Sequence, residues 1–404
     1  MRVTIKKGSA SGRITAPPSK SMAHRLLISA SMADGISHLS GISDCEDVAA
    51  TLDCLRSLGV RVSVRGSDIT VYGRDMRDAV AAGILRCRES GSTLRFMIPI
   101  AMLSGNTVMF SGEGKLMSRP MDVYKTIAKE KGLVFIEDGS TITVKGPITS
   151  GEYSVVGNIS SQFISGLLFV LPLLEGDSKI RITPPIESRS YIEMTRAAIA
   201  EFGIRTEWSD DHTLMIPGGQ KYISTDLAVE GDWSGAAFPD ALNLFGGDVK
   251  IEGLYDNTLQ GDSIYRKYYE MLSVGVPTIH IGDCPDLGPI LFAIAGAKCG
   301  GVFSGTRRLK IKESDRAAAM AEELAKFGIS VKVFEDKVVV YPADFHKPTE
   351  ALKGHNDHRI VMALAILATL VGGEIEGAEA IAKSYPSFFE DLCALGIEVV
   401  ENDA

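Results

Sequence analysis

Two interleaved sets of six helices, each ending in a glycine and a short strand, recur along this chain and leave few folds open to it. In the first set an amphipathic helix runs into a glycine and then a short β-branched strand. The copies are 52–60 around Gly59, 124–135 around Gly132, 194–205 around Gly203, 268–276 around Gly275, 320–331 around Gly328 and 388–399 around Gly396. Each glycine stands where a helix C-cap calls for a left-handed residue. Most are roughly seventy residues apart, a period suited to a βαβ-type unit.

The second set has a polar, cap-like start followed by a strongly apolar helix. The starts are Ser19-Lys20-Ser21, Glu89-Ser90-Gly91-Ser92, Ser160-Ser161-Gln162, Asp232-Trp233-Ser234, Pro285-Asp286-Leu287 and Asn356-Asp357-His358-Arg359. They end near Gly35, Gly105, Gly176, Gly246, Gly300 and Gly372. Helices apolar on every side are buried. Each of the six units therefore pairs one buried with one surface helix, separated by strands.

A chain of 404 residues is long for one core, so six units imply two α/β domains of three. Most units close with a hairpin, such as 60–64 with 69–72. The fourth lacks a clear second strand after Ile281, and the sixth runs out at 397–400, where 1–5 is expected to supply the missing strand. The expected domains are 19–226, and 1–18 together with 227–404, joined at hinges near 16–18 and 225–229. Buried helices pointing the same way within a domain would gather their N-termini, each carrying roughly half a positive charge. Two such faces opposed across a hinge would trap an anion.

Composition narrows the ligand. A net charge of −9 argues against a nucleic-acid partner. Against that background the cations Lys20, Arg307, Arg308, Lys310, Lys312 and Arg359 stand out and point to a small anion. Six cysteines without a CxxC pair read as free thiols in a reducing cytosol. The opening residues lack a signal-peptide run, and the apolar runs 163–174 and 360–371 fall short of the ~20 residues that span a bilayer. The expectation is a cytoplasmic monomer with no membrane partner. His355 and His358, with no third ligand in sight, do not make a metal site; Asn356 or Asp357 reads as a helix cap there.

The stretch from Pro17 to Arg25 could be an ordinary capped surface helix with two solvated cations. Equally, Ser19 or Ser21 as cap, free amides at a positive dipole end, Lys20, and Arg25 one turn on would form an anion site. Further motifs bear on this choice. Gly91-Ser92-Thr93-Leu94-Arg95, Arg119-Pro120, Ser160-Ser161-Gln162, Pro285-Asp286, Lys312-Glu313-Ser314-Asp315-Arg316, Asn356-Asp357-His358-Arg359 and Lys383 follow in order. With these motifs the chain resembles the enolpyruvyl transferases, specifically the 5-enolpyruvylshikimate-3-phosphate (EPSP) synthase family, along essentially its whole length.

That resemblance implies two inside-out α/β barrel domains of three βαβαββ-type units, with the active site in the interdomain cleft. It implies transfer of the enolpyruvyl group of phosphoenolpyruvate to the 5-hydroxyl of shikimate 3-phosphate, without a cofactor or metal. The shikimate 3-phosphate side would fall to Lys20, Ser21, Arg25, Ser160, Ser161, Gln162, Ser188, Asp286 and Lys312, with Tyr191 as a candidate pocket wall. Phosphoenolpyruvate would take Lys20, Gly91, Arg119, Gln162, Arg316, Arg359 and Lys383. Gly91 has its own reason, since a side chain there would block close approach to the backbone. Arg95 reads either as a structural partner of the second helix start or as part of an intradomain ion pair.

By the same resemblance Asp286 would be the base at the 5-hydroxyl, since cations around a carboxylate lower its pKa. Glu313 or Lys20 would handle the carbon-bound proton, and His358 and Lys383 would assist the leaving phosphate. The plainer reading of Glu313 is a helix cap, and of Ser160-Ser161 simple capping. Arg308 stands where the family often has Asn, Glu89 where Asn is common in bacterial members, and Ser90 where Ala is frequent. Two rivals remain: a UDP-N-acetylglucosamine enolpyruvyl transferase, against which Ser21 and a cysteine-free 112–117 loop argue, and a non-catalytic anion-binding clamp of the same fold.

Overall fold

The computed structural model of the protein describes residues 1–402. Twelve α-helices alternate in character along it: α1 Lys20–Met32, α2 Glu46–Ser57, α3 Gly91–Ala101, α4 Asp122–Lys131, α5 Ser161–Val170, α6 Arg189–Glu201, α7 Trp233–Asp240, α8 Tyr265–Val274, α9 Gly288–Ala297, α10 Arg316–Lys326, α11 His358–Val371 and α12 Phe388–Ala394. The odd-numbered helices are buried along nearly their whole length, and the even-numbered ones bury a single face.

The chemistry of the helix ends follows from their residues. Ser19, Ser90, Ser160, Asp232 and Asp357 each accept a backbone N–H from the first turn of the buried helix they precede, which satisfies donors that burial would otherwise orphan. α9 has no such cap and runs on from a 3-10 turn at Pro285–Leu287, with Pro289 in its first turn. A proline there has no N–H to satisfy. After the amphipathic helices, five of the six glycines take left-handed φ, from 68° at Gly132 to 91° at Gly396. Gly275 departs from that expectation: its φ of 177° is extended backbone.

Five sheets share one plan, a parallel strand pair extended by an antiparallel hairpin. Gly151–Val156 lies parallel to Ser178–Thr183, which Thr213–Ile216 and then Glu207–Asp210 extend antiparallel. In the first unit the outer parallel strand is Leu227–Ala228, paired with Ile36–Ser40 almost two hundred residues upstream. In the sixth, Arg2–Ile5 sits between Gly373–Glu376 and Val399–Asn402, antiparallel to both. The fourth unit has only two strands, Ser11–Thr15 parallel to Asp248–Glu252, and carries no hairpin.

The chain divides into two compact bodies, Pro18–Glu230 and Met1–Pro17 with Gly231–Ala404. Each has its own apolar core. Leu27, Phe96, Phe163 and Phe169 lie in that of the first, and Ile5, Phe292, Ile360 and Phe388 in that of the second. In the first body α3 packs on α5; in the second α9 packs on both α10 and α11.

Candidate active site

In the body Pro18–Glu230, polar side chains converge from the starts of α1, α2, α3 and α5. Lys20, at the first position of α1, donates to Asp47 of α2 at 2.8 Å, both side chains being largely buried. Arg25, one turn on, is buried and fixed at three points: Nε to the Thr195 hydroxyl (2.8 Å), Nη1 to the Ser21 carbonyl (2.6 Å) and Nη2 to the Tyr191 carbonyl (3.1 Å). Burial pushes its pKa down to about 10, against an opposing pull from Tyr191. Ser188, left-handed just before α6, accepts the Tyr191 amide at its carbonyl, and the Tyr191 carbonyl in turn accepts from Arg25, so Ser188, Tyr191 and Arg25 are brought together.

The starts of α3 and α5 are tied by a two-way bridge. Arg95 Nη1 donates to Gln162 Oε1 at 2.7 Å, and Gln162 Nε2 donates to the Ser92 hydroxyl at 2.8 Å. Arg95 is thus a partner of the second helix start. Gly91 opens α3, and a Cβ there would come within 2.7 Å of Arg119 Nη1 and 3.3 Å of Arg95 Nη1. Ser160 and Ser161 are buried, with Ser160 accepting the Gln162 amide. Glu89 lies against Gly114 of the 112–117 loop.

In the body that includes Gly231–Ala404, Asp286 is the centre of a cationic cluster. Its Oδ1 accepts from Arg316 Nη1 (2.6 Å) and Lys312 Nζ (3.0 Å), and Arg359 Nη2 lies 3.9 Å from Oδ2. Burial pushes the Asp286 carboxyl up, but Lys312, Arg316 and Arg359 outweigh it and hold the group well below the usual carboxylate range. The Lys312 ammonium is lowered by burial, with Arg316 and Arg308 adding to the effect and Asp286 opposing it. Arg308 is buried in a 3-10 turn and donates to the Gly282 carbonyl at 3.1 Å, so the residue in the family's Asn position brings a charge beside Lys312.

Arg316 is almost fully buried and held by three carboxylates: Asp286, Glu313 Oε2 at 2.9 Å, and Asp357 Oδ2 at 2.8 Å. Arg359 Nε and Nη1 are buried with no hydrogen-bond partner among the described residues. A guanidinium with free inward donors suits a carboxylate or phosphate. His358 opens α11 and is buried, its Nδ1 3.9 Å from Asp357 Oδ1. Lys383 donates to both the carbonyl (2.7 Å) and the side-chain oxygen (2.8 Å) of Asn356.

One reading of the sequence is corrected here and one alternative is decided. Glu313 does not cap a helix: α10 starts at Arg316, and Asp315 caps it by accepting the Ala318 amide. Of Asn356 and Asp357, the cap is Asp357. His355 points to Glu323, away from any pairing with His358; among the described residues Glu322, Glu323 and His355 are near enough to share a cation. Lys326 already neutralises Glu323 at 2.9 Å from Oε2, the Lys353 amide donates to that same oxygen, and His355 takes Oε1, so an ion-paired knot accounts for the group.

The family model of EPSP synthase (3-phosphoshikimate 1-carboxyvinyltransferase) matches residues 5–392 of this chain. The chain belongs to the EPSP synthase family. The 3-phosphoshikimate 1-carboxyvinyltransferase of Clostridium kluyveri is 38% identical, covering 99% of this chain and 98% of its own. That of Clostridium novyi is 38% identical over 98% of this chain and 97% of its own. In structure the chain is similar to EPSP synthase from Acinetobacter baumannii, at a TM-score of 0.77 and 24% identity, covering 99% of this chain and all of that one. The likeness supports the two-domain fold of repeated βαβ-type units for this EPSP synthase family member. No helix among its described residues is long and apolar enough to cross a membrane.

Three polar residues of these clusters escaped the sequence reading. Asp47, Thr195 and Asp357 (the last read only as a cap) hold Lys20, Arg25 and Arg316 from 27, 170 and 41 residues away. Asp357 showed only as a cap, and Asp47 only as an acid in the first turn of an amphipathic helix, a position equally explained by the helix dipole.

Proposed function

We propose that the protein transfers the enolpyruvyl group of phosphoenolpyruvate to the 5-hydroxyl of shikimate 3-phosphate, giving 5-enolpyruvylshikimate 3-phosphate and inorganic phosphate. The observation that carries this reading is Asp286, a carboxylate kept ionised among Lys312, Arg316 and Arg359 in a chain that the family matches over residues 5–392. Lys20, Ser21, Arg25, Ser160, Ser161, Gln162, Ser188, Asp286 and Lys312 are assigned to shikimate 3-phosphate. Lys20, Gly91, Arg119, Gln162, Arg316, Arg359 and Lys383 are assigned to phosphoenolpyruvate. The two substrates bring two phosphates and two carboxylates, and bidentate arginine with point-charge lysine is what such groups require.

The reaction is an addition followed by an elimination. Asp286 accepts the proton of the 5-hydroxyl as its oxygen bonds to C2 of phosphoenolpyruvate, and Glu313 or Lys20 delivers a proton to the methylene carbon. In the resulting tetrahedral adduct the bond from C2 to the phosphate oxygen then breaks. A methyl proton returns to the same acid–base group, and His358 and Lys383 stabilise the departing phosphate. Cations preorganised around developing negative charge are the larger catalytic contribution. These side chains supply all the proton transfers, so the scheme calls on no redox group and no Lewis acid. The proposed partners are these small anions, and the proposed setting is the cytoplasm.

The test is phosphate release from purified protein given both substrates without added metal. Release is expected with this pair. Release only with UDP-N-acetylglucosamine in place of shikimate 3-phosphate would overturn the reading, and tight substrate binding with no release would favour a clamp.

A further inference from the structure

Beyond the groups assigned to substrate, one helix holds one loop at both of its ends. α10 carries Arg316 in its first turn and Glu323 two turns later. Arg316 grips Asp357, and Glu323 Oε1 accepts from His355 Nε2 at 2.9 Å while Oε2 accepts the Lys353 amide at 2.8 Å. Between those grips His355 and Asn356 stand in succession at φ 50° and 53°. Two adjacent non-glycine residues in the left-handed region persist only where the surroundings hold them. Glu323 is fully buried, so its carboxylate is a rigid anchor, kept charged by Lys326. The held segment is the one whose Asn356 carbonyl and side-chain oxygen receive Lys383.

We propose that Glu323 and His355 are positioning residues: by fixing 354–357 in its left-handed course they set Asn356, and through it the Lys383 ammonium, for phosphoenolpyruvate. This rests on the proposed function for the identity of the ligand, though not for the mechanical part. Lys383 is not aimed by its own packing alone. Its ammonium takes its direction from two oxygens of a residue that would relax out of the left-handed region once the His355 grip is gone. Shikimate 3-phosphate draws on Lys312 and Asp286; Asp286 is tied to this segment at its other grip, through Arg316 and Asp357, and not through His355, so loss of the His355 grip falls mainly on phosphoenolpyruvate.

The experiment compares wild type, His355→Ala and His355→Gln. His355 is partly exposed, so its replacement is expected to leave the fold intact, and glutamine can restore a donor to Glu323. In the ligand-free protein, amide hydrogen exchange at 355–357 is expected to rise about tenfold or more in His355→Ala and to return toward wild type in His355→Gln. In the assay the KM for phosphoenolpyruvate is expected to rise about tenfold in His355→Ala, with the KM for shikimate 3-phosphate within about twofold. Unchanged exchange at 355–357 would overturn the proposal. So would both KM values rising together with a large fall in Tm, the mark of a merely structural role. Wild-type protein that releases no phosphate would bring down the proposed function instead, and the exchange result would still decide this one.

Discussion

Asp286 faces Lys312, Arg316 and Arg359 within one cluster, and two outcomes follow from that environment. Asp286→Ala removes the proposed base while leaving the cations that hold anions, so phosphate release should fall by roughly 10²–10⁴-fold. Binding of shikimate 3-phosphate, followed by calorimetry, should remain measurable; a variant that does not fold would mark Asp286 as structural. The second outcome concerns pH. A carboxyl whose folded pKa is depressed contributes stability that is fully present above its unfolded value of about 3.9 and is lost as pH falls through the folded pKa. Wild type should therefore be more stable than Asp286→Asn above about pH 4, and the gap in Tm should close in more acid solution. At this scale the sequence displayed the charged side chains through their motifs, but not the carboxylates that hold them. Lys20 with Asp47 and Arg316 with Asp357 pair across turns of chain that share no local period.

Helix starts were the most legible elements, because a cap and its first turn are contiguous in sequence. Ser90-Gly91-Ser92 is an instance: Ser90 caps α3, and Gly91 leaves room at the helix mouth for the guanidinium ends of Arg119 and Arg95. A methyl group at Gly91 would press on the far ends of flexible side chains, not on backbone. Gly91→Ala is therefore expected to fold with a Tm close to wild type and to raise the KM for phosphoenolpyruvate about tenfold, while the KM for shikimate 3-phosphate changes little. Steady-state kinetics with each substrate varied in turn checks this. Strands were less legible than helices. Leu227–Ala228 and Leu352–Lys353 are two residues long, too short for an alternating pattern to declare itself. Ser11–Thr15 gave no sign that its partner would be Asp248–Glu252, since parallel pairing across more than two hundred residues depends on the assembled body. The uncapped start of α9 was obscured for another reason: prolines remove the donors that a cap would have advertised.

Across the whole chain, each body is closed by a segment far away in sequence: Leu227–Ala228 completes the first sheet of one, and Arg2–Ile5 and Ser11–Thr15 enter sheets of the other. Val3 and Ile5 are fully buried, and their strand has a neighbour on both sides. Removing residues 1–6 should cost the second body at least about 4 kcal/mol, from two buried apolar side chains at about 1.5–3 kcal/mol each and the paired strand with them. The two tryptophans report separately, Trp208 in the first body and Trp233 in the second. In a Trp208→Phe background, urea unfolding followed by Trp233 fluorescence should shift to lower denaturant on truncation. With Trp233→Phe instead, the Trp208 transition should stay where it is.

The same central strand constrains how the molecule is made. A ribosome delivers residues 2–5 long before their neighbours at 373–376 and 399–402. At roughly 5–20 residues per second the strand therefore waits on the order of tens of seconds for its place. Residues 18–230 can complete their body during that wait, whereas residues 2–5 must stay unpaired until those neighbours are made. Its composition suits the delay: MRVTIKKGSASGR carries Arg2, Lys6, Lys7 and Arg13 around a short apolar core, and like charges keep an unpaired strand from finding a wrong edge.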